Sequence, residues 1–242
     1  MKKTAAARSI EDSALPDRVK SALLHTCAAG RSPVKTALSA DPAAFLTAIA
    51  GLLARGAKAL GLEESEALFV TGFNPNDAAP GRFSAALAEI QAAVFLAGTG
   101  FTGLSLIPQR AGISTDLSGE FGGETYFFEV RSIRRGGPLD YLFKKKALLP
   151  AAEAVEYLVL KYDKKVRQLN CARKRLGGRQ GGVIFSLDIF CAAEESALCR
   201  LAEAVHTAKG SPALTHVCLL AAATGAAFPD FRHTAGREIK TR

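Results

Sequence analysis

Three carboxylates lie where an unpaired negative charge would be costly. Glu89 interrupts an otherwise apolar helical segment, Asp116 ends a short predicted strand, and Glu129 lies among large apolar residues in the predicted strand Glu124–Ile133. A carboxylate in such surroundings must pair with a cation or bind a metal. Because side chains alternate along a strand, Glu129 and Arg131 project from the same face. The alternatives are a metal-binding acidic cluster and a Glu129–Arg131 ion pair on a half-exposed strand.

Hydrophobic periodicity predicts the elements that would position these residues. Residues 1–14 lack periodicity, so we expect a loose tail, and residues 15–77 have helical spacing, with Asp41-Pro42 and Gly61 bounding one helix. The Pro- and Gly-rich stretch Thr71–Arg82 predicts a linker. We therefore expect a helical N-terminal region, 1–77, and an α/β core with a mixed sheet, 78–242.

The core has a predicted element order of α-β-β-β-α-β-α-β. The predicted elements are a helix at Phe83–Ala97, strands at Phe101–Ile107, Gly112–Leu117 and Glu124–Ile133, a helix at 151–176, a strand at Val183–Phe190, a helix at Ala193–Ala208 and a last strand at Thr215–Ala222. A Gly-rich turn is predicted at Ser118–Gly123. The apolar face predicted for the helix at 151–176 consists of Val155, Val159, Tyr162, Val166, Leu169 and Leu176.

This element order and the acidic residues resemble the PD-(D/E)xK, or restriction-endonuclease-like, nuclease superfamily. In that family an α-β-β-β-α-β core brings together a helix glutamate, an Asp on the second strand and a Glu-x-Lys on the third. Here Glu89 matches the helix glutamate, and Asp116 is followed, after twelve residues, by Glu129-Val130-Arg131-Ser132. The family's next helix often carries a Lys and a Gln that face the site. The residues that match these here are Lys164 and Gln168, with Lys161 one turn earlier. The resemblance covers about residues 80–222 and implies the family's fold.

The resemblance implies Mg²⁺-dependent (or Mn²⁺-dependent) hydrolysis of DNA phosphodiesters. Asp116, Glu129 and the Val130 carbonyl would bind the ion, with Glu89 acting directly or through water. The family's proline is replaced by Thr115, and its lysine by Arg131, which cannot act as a general base. Arg131 could clamp a phosphate, or Lys164 or Lys161 could supply the cation from the helix. The alternatives are a nuclease-like domain that binds nucleic acid or an acidic partner without cleaving it, and a scaffold whose basic helix is merely solvated.

The positive charge of the chain is concentrated in one stretch. The net charge is +8, and residues 131–179 hold 14 Lys or Arg against 4 Asp or Glu. Such a stretch predicts a polyanion-binding face, which we expect to bind DNA through its phosphates without sequence specificity. The candidate nucleic-acid-binding residues are Arg134, Arg135, Lys144, Lys145, Lys146, Lys161, Lys165, Arg175 and Arg179.

Other classes of site and location find little support in the sequence. The Gly-rich string at 98–103 lies between a helix and a strand, the reverse of the order that a dinucleotide fingerprint requires. The four histidines are scattered, and the five cysteines form no Cys-x-x-Cys pair. No signal peptide is apparent, and no apolar run approaches the roughly 20 residues of a membrane span. We therefore expect a cytoplasmic protein without a membrane partner, and no homo-oligomer is indicated.

Overall fold

A computed structural model describes residues 4–28, 33–77, 81–107, 115–133, 152–178, 180–187, 193–210, 215–222 and 224–234. The chain divides into two compact units, Met1–Val94 and Phe95–Arg242. The boundary between these units lies within a helix, Arg82–Gly98, whereas the sequence predicts a linker at Thr71–Arg82. The domain boundary between residues 77 and 78 stays a prediction.

The first unit is helical. Its elements are α1 (Ala5–Glu11), α2 (Asp17–Ala28), α3 (Pro33–Ala40), α4 (Pro42–Leu60), α5 (Glu64–Ala67) and most of α6 (Arg82–Gly98). The predicted α4 is confirmed. The Asp41 carboxylate accepts a 3.0 Å hydrogen bond from the Ala44 N–H, and Gly61, at φ 66°, ends the helix in the left-handed conformation.

The predicted loose tail at residues 1–14 is wrong, because this stretch contains α1. The Thr4 hydroxyl accepts a 3.3 Å hydrogen bond from the Ala7 N–H and caps the helix. Ile10 is fully buried. A single buried apolar residue produces no periodicity in the sequence, so packing rather than pattern stabilises this helix.

The length and composition of α4 would allow it to cross a membrane, contrary to the expectation from the sequence. The core helix of a water-soluble protein meets the same criterion. The large apolar side chains Phe45, Ile49 and Leu53 of α4 are buried inside the structure. This burial is consistent with a core helix.

Among the described residues of the second unit, six strands form one mixed sheet in the order β1-β2-β3-β4-β5-β6. The strands are β1 (Thr102–Leu106), β2 (Leu117–Phe121), β3 (Glu124–Ser132), β4 (Gln180–Ser186), β5 (Thr215–Ala221) and β6 (Thr224–Phe228). The pairs β3–β4 and β4–β5 are parallel, and the other three are antiparallel. The helices are α7 (Ala152–Leu176), α8 (Glu195–Ala208) and α9 (Phe231–Thr234). The predicted mixed α/β class is confirmed.

The two faces of this sheet have different coverings. Side chains of α7 and α8, including Leu158 and Leu201, form one buried cluster with the β4 residues Val183 and Phe185. Glu129 pairs in register with Val183, so its side chain belongs to this α7-covered face. Tyr126 and Phe128 alternate with Glu129 and lie in a separate aromatic cluster. The members of that cluster are Phe101, Phe121, Tyr126, Phe128 and Phe231.

Three strand predictions need correction. The predicted strand at Gly112–Leu117 and the turn at Ser118–Gly123 are displaced, because β2 runs from Leu117 to Phe121 and residues 111–114 lie outside the described ranges. Gly119 is a strand residue whose missing side chain leaves room for Leu104, since a Cβ there would lie 2.6 Å from Leu104 Cδ2. The strand predicted at Val183–Phe190 begins earlier, at Gln180, and residues 188–190 are outside the description.

The strand at Thr215–Ala221 is not the last one. β6 follows it, and its sequence Thr-Gly-Ala-Ala-Phe has one large apolar residue, Phe228, so it shows no alternation. Pairing with β5 along five residue positions specifies this strand instead. The predicted helices Phe83–Ala97, 151–176 and Ala193–Ala208 and the strands Phe101–Ile107 and Glu124–Ile133 are confirmed as α6, α7, α8, β1 and β3 within a few residues.

Candidate functional site

Asp116, Glu129 and Lys165 form a buried ion triad in the second unit. Lys165 Nζ on α7 lies 2.7 Å from Glu129 Oε2 on β3. It lies 3.3 Å from Oδ2 of Asp116, which is the residue directly before β2. The side chains of Glu129, Asp116 and Lys165 are 0%, 8% and 17% exposed. With both carboxylates ionised, the triad carries a net charge of −1.

Main-chain hydrogen bonds hold Asp116 in place where the β2 ladder stops. Its Oδ2 accepts a 2.7 Å hydrogen bond from the Val130 N–H, and its own N–H donates to the Phe128 carbonyl at 3.0 Å. The Thr115 hydroxyl donates to the same carbonyl, also at 3.0 Å. The Asp116 carbonyl accepts from the Ile107 N–H. The carboxylate therefore takes the place of a strand carbonyl beside β3, and its position is set by the sheet.

Glu129 lies in the middle of the sheet, between β2 and β4. Its Oε2 accepts from Lys165, whereas its Oε1 is buried and has no hydrogen-bond partner among the described residues. Burial, and then the negative charge of Asp116, raise the pKa of Glu129 to about 7 against the opposing effect of Lys165. A buried carboxylate oxygen without a donor is costly and is suited to bind a cation.

Lys165 reaches the site because it lies on the buried stripe of α7. The buried residues of that stripe are Ala154, Leu158, Tyr162, Leu169 and Ala172. Lys165 follows Tyr162 by three residues and precedes Leu169 by four, so helical geometry carries it onto the sheet. Burial lowers its pKa, but the two carboxylates outweigh burial and raise it above the usual value, so Lys165 stays protonated.

The structure brings Lys165 to the carboxylates rather than the predicted Lys164. Lys164 is exposed, and Gln168, which is half-buried, makes no hydrogen bond to the triad within the described ranges. From the sequence, Lys165 is predicted to be a nucleic-acid-binding residue. The three- and four-residue spacing of Leu158, Tyr162, Lys165 and Leu169 was a usable signal, because it places a cation on an apolar stripe. The predicted face included Leu176, which is in fact 42% exposed.

Arg131 does not pair with Glu129. Its side chain is exposed near the end of β3, and no ion pair joins the two residues in the part of the chain that the structure describes. The partner of Glu129 is Lys165, so the ion pair expected on a half-exposed strand is wrong. Val130, the third predicted metal ligand, is buried, and its N–H is bound to Asp116.

Glu89 lies on α6 in the first unit and is partly buried. The triad belongs to the second unit. A role for Glu89 in metal binding stays a prediction.

Lys165 on α7 points towards the sheet, whereas other basic residues of this helix point towards solvent. Lys161 is half-buried, with its ammonium 5.0 Å from the Tyr157 ring centroid. Lys164, Arg167, Lys174 and Arg175 are exposed on the side of the helix opposite the buried stripe. The first three of these exposed residues take part in no ion pair with any described residue. Arg134, Arg135, Lys144, Lys145, Lys146 and Arg179 lie outside the described residues.

The two carboxylates of the triad, taken without the ammonium, have the donor chemistry that a magnesium-type ion requires. Within the described ranges, no group of three or more His, Cys, Asp or Glu side chains could hold a metal ion. Mg²⁺, however, commonly takes one or two protein carboxylates and keeps several waters beside a substrate phosphate. Asp116 and Glu129 supply two carboxylates, and Glu129 Oε1 offers an oxygen without a donor.

The chain matches no family model, no curated protein and no solved structure.

Proposed function

We propose that this protein is a metal-dependent nuclease that hydrolyses DNA phosphodiesters at a PD-(D/E)xK-like site. The observation that carries the proposal is the buried Asp116–Glu129–Lys165 triad with an unpartnered Glu129 oxygen. Two buried carboxylates beside an ammonium are costly to maintain in a protein that does not use them. The order α6-β1-β2-β3-α7-β4, with β3 and β4 parallel, supports a restriction-endonuclease-like core.

In this proposal Asp116, Glu129 and the Val130 carbonyl would hold Mg²⁺ or Mn²⁺. The bound ion would lower the pKa of a water molecule and offset the charge that develops on the phosphate. The sheet holds Asp116 and Glu129 at fixed positions, which is the preorganisation that catalysis requires.

Lys165 supplies the cation that the family places on the third strand. Because the neighbouring carboxylates raise its pKa, Lys165 keeps its proton and stabilises negative charge on the phosphate rather than removing a proton from water. Arg131 is exposed near the end of β3 and can bind a phosphate oxygen through its guanidinium.

Substrate binding is assigned to the basic stretch. Between residues 164 and 175 the chain has six Lys or Arg and no Asp or Glu. Contacts from such residues go mainly to phosphates, so we propose DNA binding that depends strongly on salt and little on sequence. We also propose a cytoplasmic location, since the described cysteines Cys27, Cys171, Cys199 and Cys218 are free thiols.

Cleavage of linear, nicked and branched DNA with Mg²⁺ or Mn²⁺ tests the proposal. We expect Asp116→Asn and Glu129→Gln to lower the rate at least 100-fold. Asp163→Asn is the matched control, because Asp163 is a carboxylate of α7 that pairs with Lys209 outside the triad. Equal rates in all four proteins would indicate a contaminating nuclease and would overturn the assignment.

A second candidate is a nuclease-like domain that binds nucleic acid without cleaving it. The exposed arginine at position 131, in place of the family's lysine, favours this candidate. It predicts salt-sensitive DNA binding by the wild-type protein with no cleavage under any divalent cation, and no change in binding for Glu129→Gln.

A further inference from the structure

The ammonium of Lys165 occupies the place where a divalent cation would meet both carboxylates. Its Nζ contacts Glu129 Oε2 at 2.7 Å and Asp116 Oδ2 at 3.3 Å, and these are the two side chains assigned to the metal. We propose, resting on the proposed function, that Lys165 is the resident counter-ion of this site and competes with the divalent cation. The cation binds fully only when the ammonium leaves the carboxylates.

Charge makes the two occupants mutually exclusive. Mg²⁺ binds carboxylate oxygens at about 2.0–2.1 Å. An ammonium held on those oxygens would repel an ion so close to it, and burial weakens the screening by water. The triad can therefore satisfy its carboxylates with Lys165 or with a divalent cation, but it does not hold both on the same oxygens.

The mobile partner in this exchange is the lysine. The Asp116 carboxylate is tied to the Val130 N–H, and Glu129 lies in the middle of the sheet. Lys165 has a flexible four-carbon stem, and its side chain is the most exposed of the three, at 17%. The unpartnered Glu129 Oε1 gives an arriving cation a first ligand while Lys165 is still on Oε2.

The change in metal affinity when Lys165 is replaced distinguishes a resident counter-ion from a lysine with a purely catalytic role. A lysine that only stabilises the transition state leaves metal affinity unchanged when it is replaced. A resident counter-ion lowers metal affinity, so its replacement by a neutral side chain raises that affinity. A lysine needed only to hold the carboxylates in place would, when replaced, weaken metal binding.

Mn²⁺ binding measured by calorimetry, without DNA, tests the inference. We expect Lys165→Met to bind Mn²⁺ at least tenfold more tightly than the wild-type protein. Lys164→Met is the matched control, because the adjacent lysine is exposed and lies away from the carboxylates, and its affinity should equal that of the wild type. Unchanged or weaker binding by Lys165→Met overturns the inference.

A second measurement uses the wild-type protein and does not depend on the variant's folding. Saturating Mn²⁺ should expose the displaced ammonium, so an amine-reactive reagent followed by mass spectrometry should modify Lys165 several-fold faster. Modification of Lys164 should not change. An unchanged rate at Lys165 under saturating Mn²⁺ also overturns the inference.

The two proposals fail in different ways. If Asp116→Asn and Glu129→Gln bind Mn²⁺ as the wild type does, the metal site itself is wrong and the proposed function fails. If those variants lose Mn²⁺ binding while Lys165→Met gains none, the metal site stands and only the competition by Lys165 is refuted.

Discussion

Lys165 on α7 donates a 2.7 Å hydrogen bond to Glu129 on β3, and this contact joins the helix to the sheet through two charges inside an apolar layer. Neither residue would be stable there alone, because each would leave a buried charge without a counter-ion. The pair therefore affects the folding stability of the protein, the pKa of Glu129 and metal binding at the proposed site.

Glu129 should make folding stability fall as the pH rises. Its pKa is raised from 4.5 to about 7 in the folded state, so its contribution is fully present below pH 4.5 and is lost as the pH rises through 7. The loss would be up to about 3 kcal/mol of unfolding free energy. Urea unfolding at pH 4.5, 5.5 and 7.5 should show the wild type losing this amount of unfolding free energy relative to Glu129→Gln as the pH rises. Parallel pH profiles for the two proteins would contradict the prediction.

His216 should have the opposite effect at acid pH. It is fully buried, its Nδ1–H donates to the Pro229 carbonyl at 2.7 Å, and burial lowers its pKa to about 4. A lowered pKa contributes stability that is present above pH 6.5 and is lost as the pH falls through 4. As the pH falls from 6.5 to 4, we expect the wild type to lose up to about 3 kcal/mol of unfolding free energy relative to His216→Gln.

Gly181 should tolerate no side chain. A Cβ at this position would lie 1.9 Å from the Phe127 carbonyl oxygen, and the residue has φ 152°. We expect Gly181→Ala to destabilise the protein by about 3 kcal/mol or more, because neighbouring strands must move apart. Gly98→Ala is the control, since a Cβ there meets nothing within 4 Å. Equal thermal unfolding midpoints for the two variants would show that β3 and β4 do not approach in this way.

The outward face of α7 should control DNA affinity without controlling metal binding. Replacing Lys164, Arg167 and Lys174 together by alanine should weaken DNA binding and reduce the slope of log affinity against log salt by about 2–3. Fluorescence anisotropy from 50 to 300 mM salt measures both effects. Lys58→Ala, an exposed change on α4, should leave them unchanged. If the triple variant binds DNA as the wild type does, the basic face of α7 is only solvated.

Elements whose signals are local could be predicted from the amino-acid sequence. Asp41-Pro42 and Gly61 bound α4 through capping. The aromatic and β-branched residues of β3 and the helical repeat of apolar residues along α7 can be recognised within each segment alone. The same local reasoning identified Asp116 and Glu129, because a charge next to a strand or inside it stands out from its apolar neighbours.

The cation that meets those carboxylates depends on how α7 packs on the sheet. Adjacent residues of a helix point about 100° apart, so the stripe of α7 that packs on the sheet brings Lys165 inward and leaves Lys164 in solvent. Packing also buries Ile10 in α1, and pairing with β5 makes a strand of Thr224–Phe228, whose own sequence has no strand pattern. Rotation of a helix about its axis and pairing of a strand are properties of the assembled core, because only contacts with distant residues distinguish one orientation or partner from another.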